Sequence, residues 1–113
     1  YLKAHDLCGV WTQSCLDEPN DALCAIYHTI SAVTREAMPG IPILEPVLPT
    51  EGVIGDLDVW CPSLDVYERN KAFFDARVKD GDRIYIYSCL TPGGNYTACL
   101  IWSACAWSIL HGA

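Results

Sequence analysis

The stretch WTQSCLDEP, residues 11–19, begins at a tryptophan and ends in two adjacent carboxylates and a proline. We predict a strand over residues 11–16 that ends before Pro19, which lacks a backbone N–H. Side chains at the carboxyl ends of parallel strands lie where ligands bind in α/β folds. Asp17 and Glu18 would point to opposite faces of a regular strand, so they can act on one substrate only if the chain turns here. The alternative is that the acidic pair only favours the N-terminus of the next helix.

Helical and strand patterns alternate after Pro19. Two segments have apolar residues at three- and four-residue intervals, which predicts amphipathic helices over residues 21–38 and 68–79, the second with Phe73 and Phe74 against the sheet. Short apolar runs predict further strands over residues 41–44, 57–61 and 83–89. We therefore expect four parallel strands, and the residues that we place near one common edge of the sheet are Asp17, Glu45, Cys61 and Tyr87.

The ends of the predicted strands favour one kind of α/β fold. Each strand ends at a proline or at a glycine-rich loop, and no Gly-x-Gly-x-x-Gly turn follows any of them. This pattern is more typical of a (β/α)8 barrel of the TIM type than of a doubly wound sheet. A complete barrel needs roughly 250 residues. The 113 residues are therefore expected to form a partial barrel, with about four parallel strands and the intervening helices.

The composition favours a globular chain with an acidic surface. Hydrophobic residues make up 51% and charged residues 19% of the sequence, and the formal net charge is −7. Nucleic acid and anionic membrane surfaces would be repelled by such a surface, whereas a neutral carbohydrate substrate would not. No targeting signal is readable in the sequence, so the localisation is left open.

The possible metal ligands do not form a convincing site. The seven cysteines are odd in number and contain no Cys-x-x-Cys pair, so they fit neither a disulfide framework nor a zinc site. The three histidines are far apart, and Asp56 and Asp58 stand at the start of a predicted strand, at the wrong edge for a site. We expect no metal and no cofactor, and we interpret as mostly small buried hydrophobes Cys8, Cys15, Cys24, Cys61 and Cys89.

Four segments, taken in order, resemble the catalytic domain of glycoside hydrolase family 123. They are residues 11–19, the helix end at residues 37–40, the strand at residues 57–62 and the stretch YSCLTPGGNY at residues 87–96. The resemblance implies a (β/α)8 barrel with β-N-acetylgalactosaminidase activity. Such an enzyme cleaves β-linked N-acetylgalactosamine with retention of configuration, and the acetamide of the substrate is the nucleophile. Substrate-assisted glycosidases are exceptions to the two-carboxylate scheme.

The resemblance also implies roles for individual residues. In that family an adjacent Asp-Glu pair ends a barrel strand, so Asp17 would hold the acetamide and Glu18 would be the general acid and base. Glu18 would have to start protonated near neutral pH, which partial burial beside a second carboxylate favours. Trp60, Tyr87 and Asn95 would contact the sugar, the alternative for each being core packing or loop capping.

The resemblance ends after Tyr96. The family continues with an Asn-Arg-Leu-Leu-Asp-like segment and a charged helix, whereas no Asp, Glu, Lys or Arg occurs here from Ile84 onward. Residues 97–110 are also shorter than the roughly 20 residues that span a bilayer. We predict that residues 97–113 are an out-of-frame reading. The codons ATG GAG CGC CTG CGC ATG GTC TAT C, read one base later, encode Trp-Ser-Ala-Cys-Ala-Trp-Ser-Ile, the sequence of residues 102–109.

The sequence thus predicts a fragment of a glycoside hydrolase barrel in residues 1–96, followed by an anomalous apolar tail. An unclosed half barrel leaves two edge strands unpaired, so the isolated chain is expected to be inactive and to aggregate. Two alternatives remain open. The chain could be a catalytically silent, carbohydrate-binding fragment of the same fold, or an unrelated small α/β domain in which the acidic pair is only the start of a helix.

Overall fold

The computed structural model describes residues 1–87, in which helices surround a three-stranded parallel sheet. The strand order β1-β2-β3 follows the chain order, and both neighbouring pairs are parallel. The α/β class and the parallel pairing are therefore confirmed. The strands are β1 (Leu44–Glu45), β2 (Val59–Trp60) and β3 (Arg83–Ile84), the helices are α1 (Cys24–Ala37), α2 (Leu64–Arg69) and α3 (Lys71–Lys79), and two 3₁₀ turns cover Lys3–His5 and Glu51–Val53.

The strands are shorter than predicted, and the first is a single bridge. Gln13 pairs with Ile43 in parallel, through hydrogen bonds from the Gln13 N–H to the Pro42 oxygen at 2.9 Å and from the Leu44 N–H to the Gln13 oxygen at 3.0 Å. Beyond Gln13 the backbone leaves the ladder. A second parallel bridge, between Ser63 and Tyr87, continues the pairing of β2 with β3 beyond the carboxyl ends of both strands.

Helix α1 begins three residues later than predicted and ends near the predicted position. The side-chain oxygen of Asn20 accepts the Ala22 N–H at 3.0 Å, and its carbonyl oxygen accepts the Leu23 N–H at 2.8 Å. Asn20 therefore closes a separate turn before the helix. After the helix, Gly40 has a φ of +83°, a conformation that glycine adopts without steric penalty.

The predicted helix over residues 68–79 is two helices, which meet at Asn70. Asn70 has φ −123° and ψ 28°, and its side-chain amide donates to the Val66 oxygen at 2.8 Å. The same Val66 oxygen also accepts the Asn70 backbone N–H at 3.1 Å, so the side-chain bond adds to the helical bond, and the break lies in the non-helical backbone angles of Asn70. The chain thus starts a helix four residues earlier than predicted, at Leu64, and restarts at Lys71.

The core lies between the sheet and the helices and is rich in aromatic rings. Trp60 meets Phe73 edge-on, with ring centroids 5.2 Å apart, and Tyr67 stacks on Phe74 at 5.4 Å. The predicted packing of the Phe73 and Phe74 rings is confirmed. Such ring pairs contribute roughly 0.5–1.5 kcal/mol each beyond the area they bury. The remaining buried members of the core include Tyr27, Ile43, Val47, Val53, Leu57 and Ile84.

Several predictions can be placed only in part. Cys8, Cys15, Cys24 and Cys61 are free thiols, and they are half-buried instead of buried. Predictions for residues 88–113, which include Asn95, Cys89 and the apolar tail, lie outside the described residues. Among the helices of residues 1–87, none has the length and apolar character needed to cross a membrane.

Candidate functional site

The ends of the strands meet at one edge of the sheet, as predicted. The Cys61 N–H donates to the Glu45 carbonyl oxygen at 2.9 Å, and the Tyr87 N–H donates to the Pro62 oxygen at 3.2 Å. Both bonds lie just beyond the carboxyl ends of neighbouring strands. Glu45, Cys61 and Tyr87 are thereby confirmed at a common edge, where parallel α/β folds bind ligands.

A buried carboxylate connects this edge to the segment before the acidic pair. Glu45 has no exposed surface. Its Oε1 accepts the N–H groups of Cys15, through a short hydrogen bond, and of Leu16 at 3.1 Å. Its Oε2 accepts the Ser14 hydroxyl at 2.7 Å. These bonds hold residues 14–16 to the end of β1, although the backbone there has left the ladder.

Tyr27 completes the surroundings of the Glu45 carboxylate. Its hydroxyl donates to Oε1 of Glu45 at 3.4 Å from within α1, and its ring has no exposed surface. Burial, followed by the negative charge of Glu45, raises the pKa of Tyr27 well above its usual value. The phenol therefore stays protonated and continues to donate throughout the physiological pH range.

The chain turns at the acidic pair, as its predicted role requires. Glu18 has a φ of +48°, a left-handed conformation that costs an L-residue about 1–2 kcal/mol. Pro19, the next residue, is fully buried. Asp17 and Glu18 are both exposed, so the partial burial expected for Glu18 does not occur within residues 1–87. Strained backbone of this kind is concentrated at functional sites.

The turn does not start a helix. Helix α1 begins at Cys24, its N-cap is Leu23, and no acidic residue lies in its first turn. The effect of a helix dipole falls off within that turn, and Glu18 stands six residues before Cys24. The interpretation of the acidic pair as a helix start is therefore wrong.

A cavity of about 190 Å³ opens at the same edge, between Glu18 and Tyr87. Ligand pockets have volumes of roughly 300–1,000 Å³, so this cavity could hold only part of a sugar. It combines a carboxylate and a phenol with apolar walls. The residues that line it include Glu18, Asn20, Val47, Leu48, Ser63 and Tyr87.

The predicted site residues separate into two groups. Glu18 and Tyr87 line the cavity together, and Asp17 is adjacent to it in the chain. Trp60 lies in the core instead: it has no exposed surface, and its indole N–H donates to Asp82 at 2.9 Å. The core-packing alternative is therefore correct for Trp60, which has no free ring face for a sugar.

The opposite edge of the sheet carries Asp56 and Asp58, which precede β2. Asp56 accepts from Ser31 at 3.1 Å and pairs with Nδ1 of His28 at 2.9 Å, while Asp58 pairs with Arg35 at 3.1 Å. An open cavity of about 500 Å³ lies beside Asp58. In the part of the chain that the structure describes, no cluster of His, Cys, Asp or Glu side chains could hold a metal ion.

Comparison with models of known protein families gives no match to this chain, and comparison with curated proteins gives none either. The interpretation of the site therefore depends on its own geometry and on the residues that form it. Two features of that geometry are chemically informative: an exposed acidic pair at a strained turn, and a buried carboxylate that holds the preceding segment.

Proposed function

We propose that the chain is part of a retaining glycoside hydrolase of the family 123 type, which cleaves β-linked N-acetylgalactosamine by substrate-assisted catalysis. The observation that carries the proposal is the cavity between Glu18 and Tyr87 at the carboxyl edge of a parallel sheet. In barrel enzymes the active site is built at this edge. The resemblance of residues 11–19 to the acidic strand end of that family supports the assignment of the chemistry.

The strand order supports a barrel as the complete fold. Doubly wound sheets reverse their strand order at the ligand site, whereas neighbouring strands of a barrel follow one another along the chain. The segment at Gln13 and the three strands run in one unbroken parallel order, and the bridge between Ser63 and Tyr87 continues the pairing of β2 with β3. Under this proposal, further βα units would enclose the small cavity and cover the two exposed carboxylates.

The proposed reaction uses both carboxylates. Asp17 accepts the acetamide N–H and orients its carbonyl oxygen, which attacks the anomeric carbon. The bond to the leaving oxygen breaks with its electron pair on that oxygen, and Glu18 supplies the proton. Water then attacks the anomeric carbon of the cyclic intermediate, Glu18 accepts a proton from the water, and the acetamide reforms. Two inversions at one carbon give net retention.

The second candidate function is a carbohydrate-binding fragment without catalysis. The exposure of Asp17 and Glu18 favours it, because a general acid must be shielded from water to start protonated near neutral pH. This candidate uses the same cavity and predicts sugar binding without turnover. Activity measurements on variants of Asp17 and Glu18 distinguish the two functions.

The test uses the longest reading frame that contains residues 1–96. We expect Glu18→Gln to abolish cleavage of substrates with poor leaving groups while sparing activated aryl glycosides, because acid assistance matters most for a basic leaving oxygen. Asp17→Asn should slow both reactions. Glu68→Gln, at an exposed glutamate of α2, is the matched control and should have no effect.

Two results would contradict this function. An equal loss on both substrate types in Glu18→Gln would remove Glu18 from the role of general acid. Binding of an N-acetylgalactosaminide without any turnover by the full reading frame would favour the silent fragment. The isolated 113-residue chain is expected to show no turnover of a chromogenic N-acetylgalactosaminide.

A further inference from the structure

We propose that Glu45 is a positioning residue for the acidic pair, because its buried carboxylate sets the direction in which Asp17 and Glu18 leave the sheet. The catalytic consequence rests on the proposed function above. The structural part of the proposal is that Glu45 holds residues 14–16. It depends only on the observed hydrogen bonds and can be tested without an activity measurement.

The partners of Glu45 show that its main task is to hold this segment. Three of the four donors to its carboxylate come from Ser14, Cys15 and Leu16, and the fourth is the Tyr27 hydroxyl. Within residues 1–87 the carboxylate of Glu45 forms no ion pair. A buried charge is costly to desolvate, and here two backbone N–H groups and two hydroxyl groups compensate for that cost.

The same bonds explain why the first strand stops after one bridge. Continued parallel pairing from Gln13 and Ile43 would bring the backbone of Cys15 alongside β1. The Glu45 side chain accepts the Cys15 and Leu16 N–H groups instead. A carboxylate reaches further from the strand than a backbone carbonyl, so it holds this segment away from β1. The left-handed turn at Glu18 follows two residues later.

Ser14→Ala and two substitutions at Glu45 separate positioning from general stabilisation. Glu45→Ala leaves the two N–H groups without their acceptor. Glu45→Gln keeps one carbonyl oxygen for them, and Ser14 can accept from the new amide instead of donating. Ser14→Ala changes an exposed residue and removes one donor while the carboxylate stays, so it tests the same contact with little risk to folding.

The first measurement is amide hydrogen exchange in the 113-residue chain, kept dilute because the isolated chain is expected to aggregate. We expect Glu45→Ala to speed exchange at Cys15 and Leu16 by at least about tenfold, while Val59 and Tyr85, which bond within the sheet, keep their protection. Ser14→Ala should give a smaller change at the same two amides. Unchanged exchange at Cys15 and Leu16 in both variants, or an equal increase at all four amides in both, would overturn the proposal.

The second measurement is the dependence on leaving group in the full reading frame. We expect Glu45→Ala to lower kcat by about 10- to 100-fold more on poor leaving groups than on activated aryl glycosides, because a misplacement of about 1 Å can cost 100-fold. Glu45→Gln should lose less. Phe74→Leu, a buried core change far in sequence from the turn, should lower both activities equally by reducing the folded fraction.

The outcomes distinguish this inference from the proposed function. If Glu45→Ala lowers both activities equally, as Phe74→Leu does, Glu45 only stabilises the fold and the positioning role is wrong. If the wild-type frame has no turnover at all, the proposed function fails, while the exchange measurement still decides whether Glu45 holds residues 14–16.

Discussion

The left-handed backbone at Glu18 predicts which of two variants at this position is the more stable. With a φ of +48°, any residue with a Cβ atom bears a penalty of about 1–2 kcal/mol. Glycine avoids this penalty but loses more backbone entropy on folding, which costs it about 0.4–1 kcal/mol relative to alanine. The balance favours glycine. We therefore expect Glu18→Gly to be more stable than Glu18→Ala by about 0.5–1 kcal/mol.

The chain contains a matched control for this comparison. Glu68 is also an exposed glutamate but lies within α2, where glycine is less stable than alanine by about 1 kcal/mol. The order of the glycine and alanine variants should therefore reverse between the two positions. The assay is urea unfolding of dilute protein, followed by circular dichroism of the helices, with the free energies taken from the midpoints and slopes.

Two results would refute this reasoning. If Glu18→Ala were as stable as Glu18→Gly or more stable, residue 18 would not have a left-handed backbone in solution. If glycine were favoured at Glu68 as well, the measurement would be reporting the unfolded state and not the local conformation. In contrast, Glu18→Gly could be more stable than Glu18→Ala and have lost turnover in the full reading frame. That result would mean that the glutamate is retained for function.

Three further predictions concern stability and pH. The buried N–H of Ile43 donates to Asp58 at 2.8 Å, and Asp58→Ala leaves this N–H without an acceptor. The free energy of unfolding should fall by about 1–3 kcal/mol, and Asp58→Asn should lose less in the same urea assay. The pKa of Tyr27 is raised in the folded chain, so the contribution of its phenol to the free energy of unfolding is complete below pH about 10 and is lost above that value by up to about 1.4 kcal/mol per pH unit. The urea midpoint should therefore fall less steeply between pH 9 and 11 in Tyr27→Phe than in the wild type. Burial raises the pKa of the Cys61 thiol, so mass spectrometry should find Cys61 alkylated more slowly in the folded chain than in urea, and equal rates would contradict the burial.

The parallel sheet was predictable because strands and helices alternate in the sequence, and that alternation requires parallel pairing. The boundaries were less predictable. The helical period continues through Asn70, so the pattern does not show that the non-helical backbone of this residue divides the helix. Similarly, residues 11–16 are predicted as a strand, although side-chain contacts replace the ladder after Gln13.

The site was predictable only where it depends on strand ends. The position of Tyr87 beside Glu18 follows from the common edge of parallel strands. Trp60 was misplaced because neighbouring residues of β2, Val59 and Trp60, are both fully buried. Parallel sheets are covered on both faces, so the alternation of side chains does not mark an exposed face. The role of Glu45 depends on N–H groups 29 and 30 residues earlier, and no local pattern reports such a contact.

The energetics of the turn favour a functional explanation over a purely structural one. Residues 14–16 are bound by the Glu45 carboxylate, which has no exposed surface. Asp17 and Glu18 follow, both exposed, and Glu18 has a left-handed backbone. A turn that only led into a helix could use glycine at position 18 and backbone pairing at residues 15 and 16, with lower strain and no desolvated charge. Helix α1 begins too far from the acidic pair for its dipole to compensate. With these costs the turn places Glu18 beside the cavity at the carboxyl edge of the sheet, with Asp17 next to it in the chain. The proposed hydrolysis requires two neighbouring carboxylates at this edge.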